Sequence, residues 1–310
     1  METTSENRYI SNSLKEALAS IYGQAVTVLA KSAVHGGDAN DAYILRLSNG
    51  KNVFQKENSI SNTDFFRAEA EGIKAIKETG VIRVPEMYAI GVEGERSFLL
   101  MESIDRAATR KDFWEDLGTR LAKMHMASTD KYLLDGKFGF KSNNYIGAGK
   151  QDNTPCDNWI EFFAQRRLLP QFRQAEHYFD KGLIRAANHL IDNLDRVLVK
   201  PERPSLLHGD LWAGNFMSDE NGSPILIDPA VYVGCNEADI AMTELFGGFD
   251  NRFYDAYFET FGVTPGYEDR RDIYNLYHLT NHLNLFGISY LSAVARIIYR
   301  YQCRLVRSIL

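Results

Sequence analysis

The run LLHGDLWAGNFMSDENGSPILID, residues Leu206 to Asp228, sets Asp210, Asn215 and Asp228 around one turn and one hairpin. Leu206-Leu207, Asn215 to Met217 and Pro224 to Asp228 are short strand candidates, and Asp219-Glu220-Asn221-Gly222 folds the last two back on each other. A carboxylate on a loop after a strand can accept the proton of an attacking hydroxyl. An Asn five residues on can bind a metal, and the hairpin is expected to return Asp228 towards that Asn. Two oxygen ligands suit Mg²⁺, which keeps several waters and takes the rest of its octahedron from phosphates. An isolated Asp in such a run more often caps a turn. The HxD…N spacing, the hairpin and the apolar strand ending in Asp228 occur together, and together they point to phosphoryl transfer.

Upstream, Lys56 closes the apolar run Val53-Phe54-Gln55, and Glu69 lies on the next helical segment, where a charge pair can hold the lysine against nucleotide phosphates. Glu71, two positions on, falls on a different helix face. The turn Gly36-Gly37-Asp38-Ala39-Asn40 offers backbone N–H groups that can cover phosphates, although paired glycines also serve ordinary turns. The chain has neither the GxGxxG of protein kinases there nor the GxxxxGK[ST] of a P-loop ATPase.

Around these residues the pattern changes character once. Ile10, Leu14, Leu18 and Ile21 predict a helix over 9–22, ended by Gly23, and Val26 to Val34, Ala42 to Leu47 and Asn52 to Lys56 read as strands. Thr63 to Glu78 reads as a helix begun by Asn62 or Thr63 and stopped at Gly80, followed by strands over 86–92 and 97–102. After Ser103 the chain is mainly helical. The division predicted is a small lobe over 1–103, an antiparallel sheet with one long helix, and a larger, mainly helical lobe over 104–310.

At 310 residues, 45% hydrophobic and 25% charged, the chain has ample length for a folded two-part protein. A net charge of −6 gives no electrostatic footprint for nucleic acid, so no nucleic-acid partner is expected. The polar start Met1 to Arg8 and the lack of eighteen consecutive apolar residues argue against a leader and a membrane span, and a cytosolic location is expected. Cys156, Cys235 and Cys303 form no CxxC pair and read as reduced packing thiols. His125 and His208 have no third ligand at metal spacing; the first is expected to pack at a helix end and the second to support the Asp210 turn. Arg296, Arg300, Arg304 and Arg307 read as a solvated helix face.

His208-Gly209-Asp210-Leu211-Trp212-Ala213-Gly214-Asn215, then Ile227-Asp228-Pro229-Ala230 with Tyr232, Gly234, Glu237 and Asp239, then Leu245-Phe246-Gly247-Gly248-Phe249, resemble the fructosamine kinases, or ketosamine-3-kinases, in the aminoglycoside phosphotransferase-like branch of the kinase fold. Asp-Pro-Ala stands where protein kinases have Asp-Phe-Gly. Val53 to Lys56, Gly36-Gly37 with Asn40, Lys137 to Phe140 and Trp159 to Phe163 with Arg167-Leu168 extend the similarity over nearly the whole chain.

The resemblance implies an α+β, protein-kinase-like bilobal fold, ATP with Mg²⁺, and transfer of the γ-phosphate to the sugar 3-hydroxyl of a ketosamine, either a small molecule or a glycated protein lysine. The phosphorylated adduct is unstable and falls away, which makes such enzymes deglycation repair enzymes. By the same resemblance Asp210 is the base, Asn215 and Asp228 hold Mg²⁺, and Lys56 with Glu69 positions the phosphates. Trp212 is the sugar-side wall or, alternatively, lobe packing. Adenine is expected against the backbone of Glu102, Ser103 and Ile104, with Met101 lining its pocket or simply filling core. Two other readings stay open here: a kinase for another small hydroxyl compound such as an amino sugar or choline, and an inactive binding protein of the same fold.

Overall fold

The computed structural model describes residues 10–34, 40–133 and 135–307. The chain divides into two compact units, residues 1–110 with 217–228, and residues 111–216 with 229–310. This differs from the expected break at residue 103. Residues 104–110 stay with the first unit because the Ala107 and Arg110 N–H groups donate to the Asp219 and Gly222 carbonyls, and the Ser218 hydroxyl donates to the Ala107 carbonyl.

The first unit is built on a six-stranded sheet. Its elements are β1 (Ile10–Ser11), α1 (Leu14–Tyr22), β2 (Val28–Val34), β3 (Asp41–Leu47), β4 (Asn52–Ser59), α2 (Thr63–Glu78), β5 (Met87–Glu93) and β6 (Arg96–Glu102). Sheet order is β1-β5-β6-β4-β3-β2, antiparallel throughout except for β1 beside β5. The first helix starts later than its periodicity predicts. Ser13 accepts the Glu16 N–H and Glu16 reaches back to the Asn12 N–H, which caps the helix there and leaves Ile10 to pair with Ile90. Ala17 and Leu18 of α1 then pack on Leu45, Val53, Phe98 and Leu100 of the sheet.

Helix α2 runs as the sequence predicts, but its buried stripe is Phe66, Glu69, Ile73 and Ile76. Glu69 thus occupies a core position, whereas the neighbouring Ala70 is only half-buried. A carboxylate on an apolar stripe needs a cation, and β4 provides it. Lys56, which lies inside the strand rather than at its end, donates to Glu69 Oε1 at 2.7 Å. Burial lowers the Lys56 pKa, but the carboxylates of Asp228 and Glu69 outweigh it and push the ammonium well above its ordinary value.

The second unit comprises α3 (Phe113–Met126), β7 (Asn144–Ile146), β8 (Gly149–Gln151), α4 (Trp159–Phe162), α5 (Leu169–Ala175), α6 (Lys181–Asp192), β9 (Ser205–Leu207), β12 (Tyr232–Gly234), α7 (Glu237–Leu245), α8 (Asn251–Phe261), α9 (Tyr267–Phe286) and α10 (Leu291–Arg307); between them, β10 (Phe216–Ser218) and β11 (Pro224–Leu226) form the hairpin that leads into the first unit. The helix that begins at Trp159 continues through a π-helical turn, Phe163–Leu168. Trp159 stacks among Phe138, Phe162, Phe163 and Tyr274. Gly118 lets α3 close on α8, because a Cβ there would collide with the Phe253 carbonyl. The basic stripe on α10 is not merely solvated: Arg300 and Arg304 donate to Asp272 and Asp269 of α9. All three cysteines are free, and burial pushes the Cys235 thiol up to about 12. Among the described residues no helix is long and apolar enough to cross a membrane.

The Lys56–Glu69 pair makes a direct prediction. Lys56→Met strands a buried carboxylate, so unfolding free energy should fall by about 3 kcal/mol in denaturant titration. Adding Glu69→Leu should recover most of that loss. A single variant as stable as the parent would mean that the pair contributes nothing to the packing of α2.

Candidate active site

Asp210 sits on a turn fixed from several directions within the second unit. β9 pairs antiparallel with β12, Leu207 opposite Tyr232, and delivers His208 and Gly209 to the turn. Gly209 has φ 82°, and a Cβ there would collide with the Ala230 carbonyl oxygen, so only glycine fits. Ala230 donates its N–H to the His208 carbonyl at 2.8 Å. Downstream, the Asp210 carbonyl accepts the Trp212 N–H at 3.1 Å and Asn215 Nδ2 at 2.7 Å, and Asn215 Nδ2 also reaches Asp210 Oδ2 at 3.1 Å.

The turn hangs from one buried carboxylate. Asp239, in the first turn of α7, accepts the His208 N–H at 2.7 Å and the Gly209 N–H at 2.8 Å. His125 Nε2 meets it at 3.1 Å, and His125 Nδ1 meets the Tyr257 hydroxyl at 2.8 Å. Tyr257 accepts Asn236 Nδ2 and meets His125 Nδ1, and because a carboxylate only accepts, the imidazole donates from Nε2 to Asp239. Burial pushes Asp239 up, but the bonds from His125 and Gly209 prevail and hold it below the usual carboxylate range. His125 was expected only to pack at a helix end; in the structure it is the third hydrogen-bond partner of this anchor.

The segment after Asp228 is braced by residues that the sequence reading did not assign. Asn144 and Gln151, on the hairpin of β7 and β8, donate to the Val231 and Ala230 carbonyls. Arg167 lies fully buried, donates to Asn153 Oδ1 at 2.7 Å, and stacks 4.0 Å over the Tyr232 ring. Three-residue strands and polar side chains beside Gly147 carry no periodic signal, which is why this bracing escaped the sequence reading.

Trp212 is 42% exposed, an unusual position for the largest apolar side chain. Its ring lies against the Gly214 backbone, where a Cβ would collide with it, so the indole rests on a fixed floor. Gly248, at φ 94°, brings the Phe246 to Phe249 segment against Ala213, while Phe249 packs among Trp114, Phe216 and Phe253.

In the first unit, Lys56 Nζ lies 2.7 Å from Glu69 and 2.6 Å from Asp228 Oδ1. Asp228 holds φ 52°, a strained value for a residue with a side chain. Met101 is buried in β6, opposite Phe54 and Met87. The Glu102 N–H is donated to the Glu86 carbonyl and its carboxylate takes Arg83 and the Glu86 N–H. Asn40 accepts Asn58 Nδ2 at 2.7 Å, and Gly36 and Gly37 lie outside the described residues.

Taken singly, the side chains of Asn215 in the second unit and Asp228 in the first each carry an oxygen of the kind that suits a hard cation such as Mg²⁺. Asn215 spends its amide nitrogen on Asp210, which leaves the carboxamide oxygen as its ligating end. Asp228 carries its charge on a side chain 42% exposed.

The family profile for fructosamine kinase matches residues 10–303. A rice (Oryza sativa subsp. japonica) chloroplastic protein-ribulosamine 3-kinase is 39% identical over 282 residues, covering 90% of this chain and 80% of that protein. Crystal structures described as fructosamine-3-kinases show the same architecture. That from Haemophilus somnus 129PT has a TM-score of 0.83 at 28% identity over 93% of this chain and 96% of its own. That from Thermobifida fusca YX-ER1 has a TM-score of 0.80 at 30% identity over 95% and 99%. The α+β fold is thus the protein-kinase-like one expected, and the chain belongs to the fructosamine kinase family.

Proposed function

We propose that this chain transfers the γ-phosphate of ATP to the sugar 3-hydroxyl of a ketosamine, including fructosamine or ribulosamine adducts on protein lysines, in protein deglycation repair. The observation that carries the reading is the braced His208 to Asn215 turn in a chain of this family. The activity in the rice relative's name is extended here to this chain.

In this mechanism Asp210 accepts the proton of the attacking 3-hydroxyl as its oxygen bonds to the γ-phosphorus and the bond to the ADP oxygen breaks. Asn215 bonds Asp210 and holds its carboxylate in one orientation. Lys56, kept protonated between Glu69 and Asp228, offers a fixed positive charge to nucleotide phosphates. Asn215 and Asp228 are the residues that would hold Mg²⁺, whose chemistry is to neutralise the charge on the phosphate oxygens. Trp212 presents its flat face to the C–H side of the sugar and can donate one hydrogen bond from its indole N–H.

The test is Mg·ATP turnover against ribulose-, erythrulose- and fructose-derived lysine adducts, with aminoglycosides and choline as controls. Ketosamines should be phosphorylated and the controls ignored; preference for a control would refute the reading. Asp210→Asn should lower kcat at least about a hundredfold with ATP binding nearly unchanged. Trp212→Ala should lower kcat/KM for the ketosamine about fivefold, the worth of roughly 1 kcal/mol of aromatic contact, and leave the KM for ATP in place. A fall in ATP affinity instead would make Trp212 nucleotide-facing.

A further inference from the structure

Arg83 has no place in the chemistry described so far, yet it is the most heavily engaged cation of the first unit. It precedes β5 on the segment that follows α2. Its NH1 donates to Asp219 Oδ2 at 2.8 Å and to both Glu220 carboxylate oxygens at 2.9 Å. Its NH2 donates to Glu102 Oε1 at 2.6 Å. One planar guanidinium therefore grips the turn of the hairpin with one arm and the end of β6 with the other, which a lysine point charge cannot do.

The main chain of the same residue is engaged as well. The Leu226 N–H donates to the Arg83 carbonyl at 3.0 Å, and Arg83 forms a parallel bridge with Ile225. The hairpin is thus held at its turn by the Arg83 side chain and along its return strand by the Arg83 backbone. Asp219 is organised for this role: its Oδ1 accepts the Asn221 and Ser223 N–H groups, leaving Oδ2 for the arginine. Two residues beyond Leu226 the chain reaches Asp228, whose carboxylate meets Lys56 at 2.6 Å.

We infer that Arg83 is a positioning residue for nucleotide and metal binding: by clamping the Asp219 to Leu226 hairpin to the end of β6, it sets where Asp228 stands relative to Lys56. The Glu102 side chain forms the second anchor of this clamp. The inference rests on the phosphotransfer role given to Asp228 and Lys56 above, but not on the identity of the sugar acceptor.

The experiment is Mg·ATP binding by calorimetric titration without acceptor, on the parent, Arg83→Ala, Arg83→Lys and Glu102→Gln, with Mg²⁺ titrations of turnover alongside. Partners that orient a metal ligand typically contribute tenfold or more, so Arg83→Ala should raise the Kd for Mg·ATP about tenfold and move half-saturation by Mg²⁺ upward. Arg83→Lys, which keeps the charge but loses the fork, should fall between, as should Glu102→Gln, which weakens one arm. The KM for ketosamine should stay within about twofold, because the effect is local to the first unit. A lowered melting temperature with unchanged Mg·ATP Kd and Mg²⁺ requirement would make Arg83 purely structural and overturn the inference. Should Arg83→Ala not fold, the other two variants decide it by the same criterion. A parent that binds no nucleotide would instead overturn the function proposed above.

Discussion

A single ammonium group inside a β-sheet governs much of the first unit. Lys56 is nearly buried on β4, and a charge in that position is tolerated only with carboxylates at hydrogen-bond distance. Glu69 meets that need from the core stripe of α2, which fixes the rotation of that helix against the sheet. Asp228 meets it from the far end of the hairpin, 172 residues on in sequence, and so draws residues 217–228 into the first unit. The same arrangement leaves the lysine charged and held in place, which is what a phosphate-binding cation needs.

The second unit is organised by the opposite charge. Asp239 is buried and satisfied by two backbone N–H groups and one imidazole, so the His208-Gly209 backbone has a fixed seat. From that seat Asp210 projects on a turn that glycine alone allows. The contacts from Asn236 through Tyr257 to His125 hold the imidazole against Asp239. Charges that would be costly singly become structural because every one has a stated partner.

The legible parts of the sequence were those with local signals. Helix α2 was readable end to end because its apolar positions recur over four turns and Gly80 stops it. The His208 to Asn215 turn was readable because its residue types and spacing serve one chemistry. What stayed hidden depends on distant partners. Arg83 looks like an ordinary loop arginine until Asp219, 136 residues away, is brought beside it. The start of α1 was misplaced because Ser13 and Glu16 cap the helix inside its apolar period. The attachment of residues 104–110 to the first unit was hidden because backbone bonds from Ala107 and Arg110 to the hairpin have no side-chain signature. The strands β7, β8 and β12, three residues each, are too short for a period to show.

The mechanism turns on the atom to which phosphate goes. Phosphorus-31 NMR of the product formed from Mg·ATP and a ribulose-derived lysine adduct tests it most directly, through coupling of the new phosphoester to the sugar proton at C3. One phosphoester is expected, on the 3-oxygen, formed in step with ADP. Phosphate on another hydroxyl, or ADP released with no phosphorylated sugar, would contradict it.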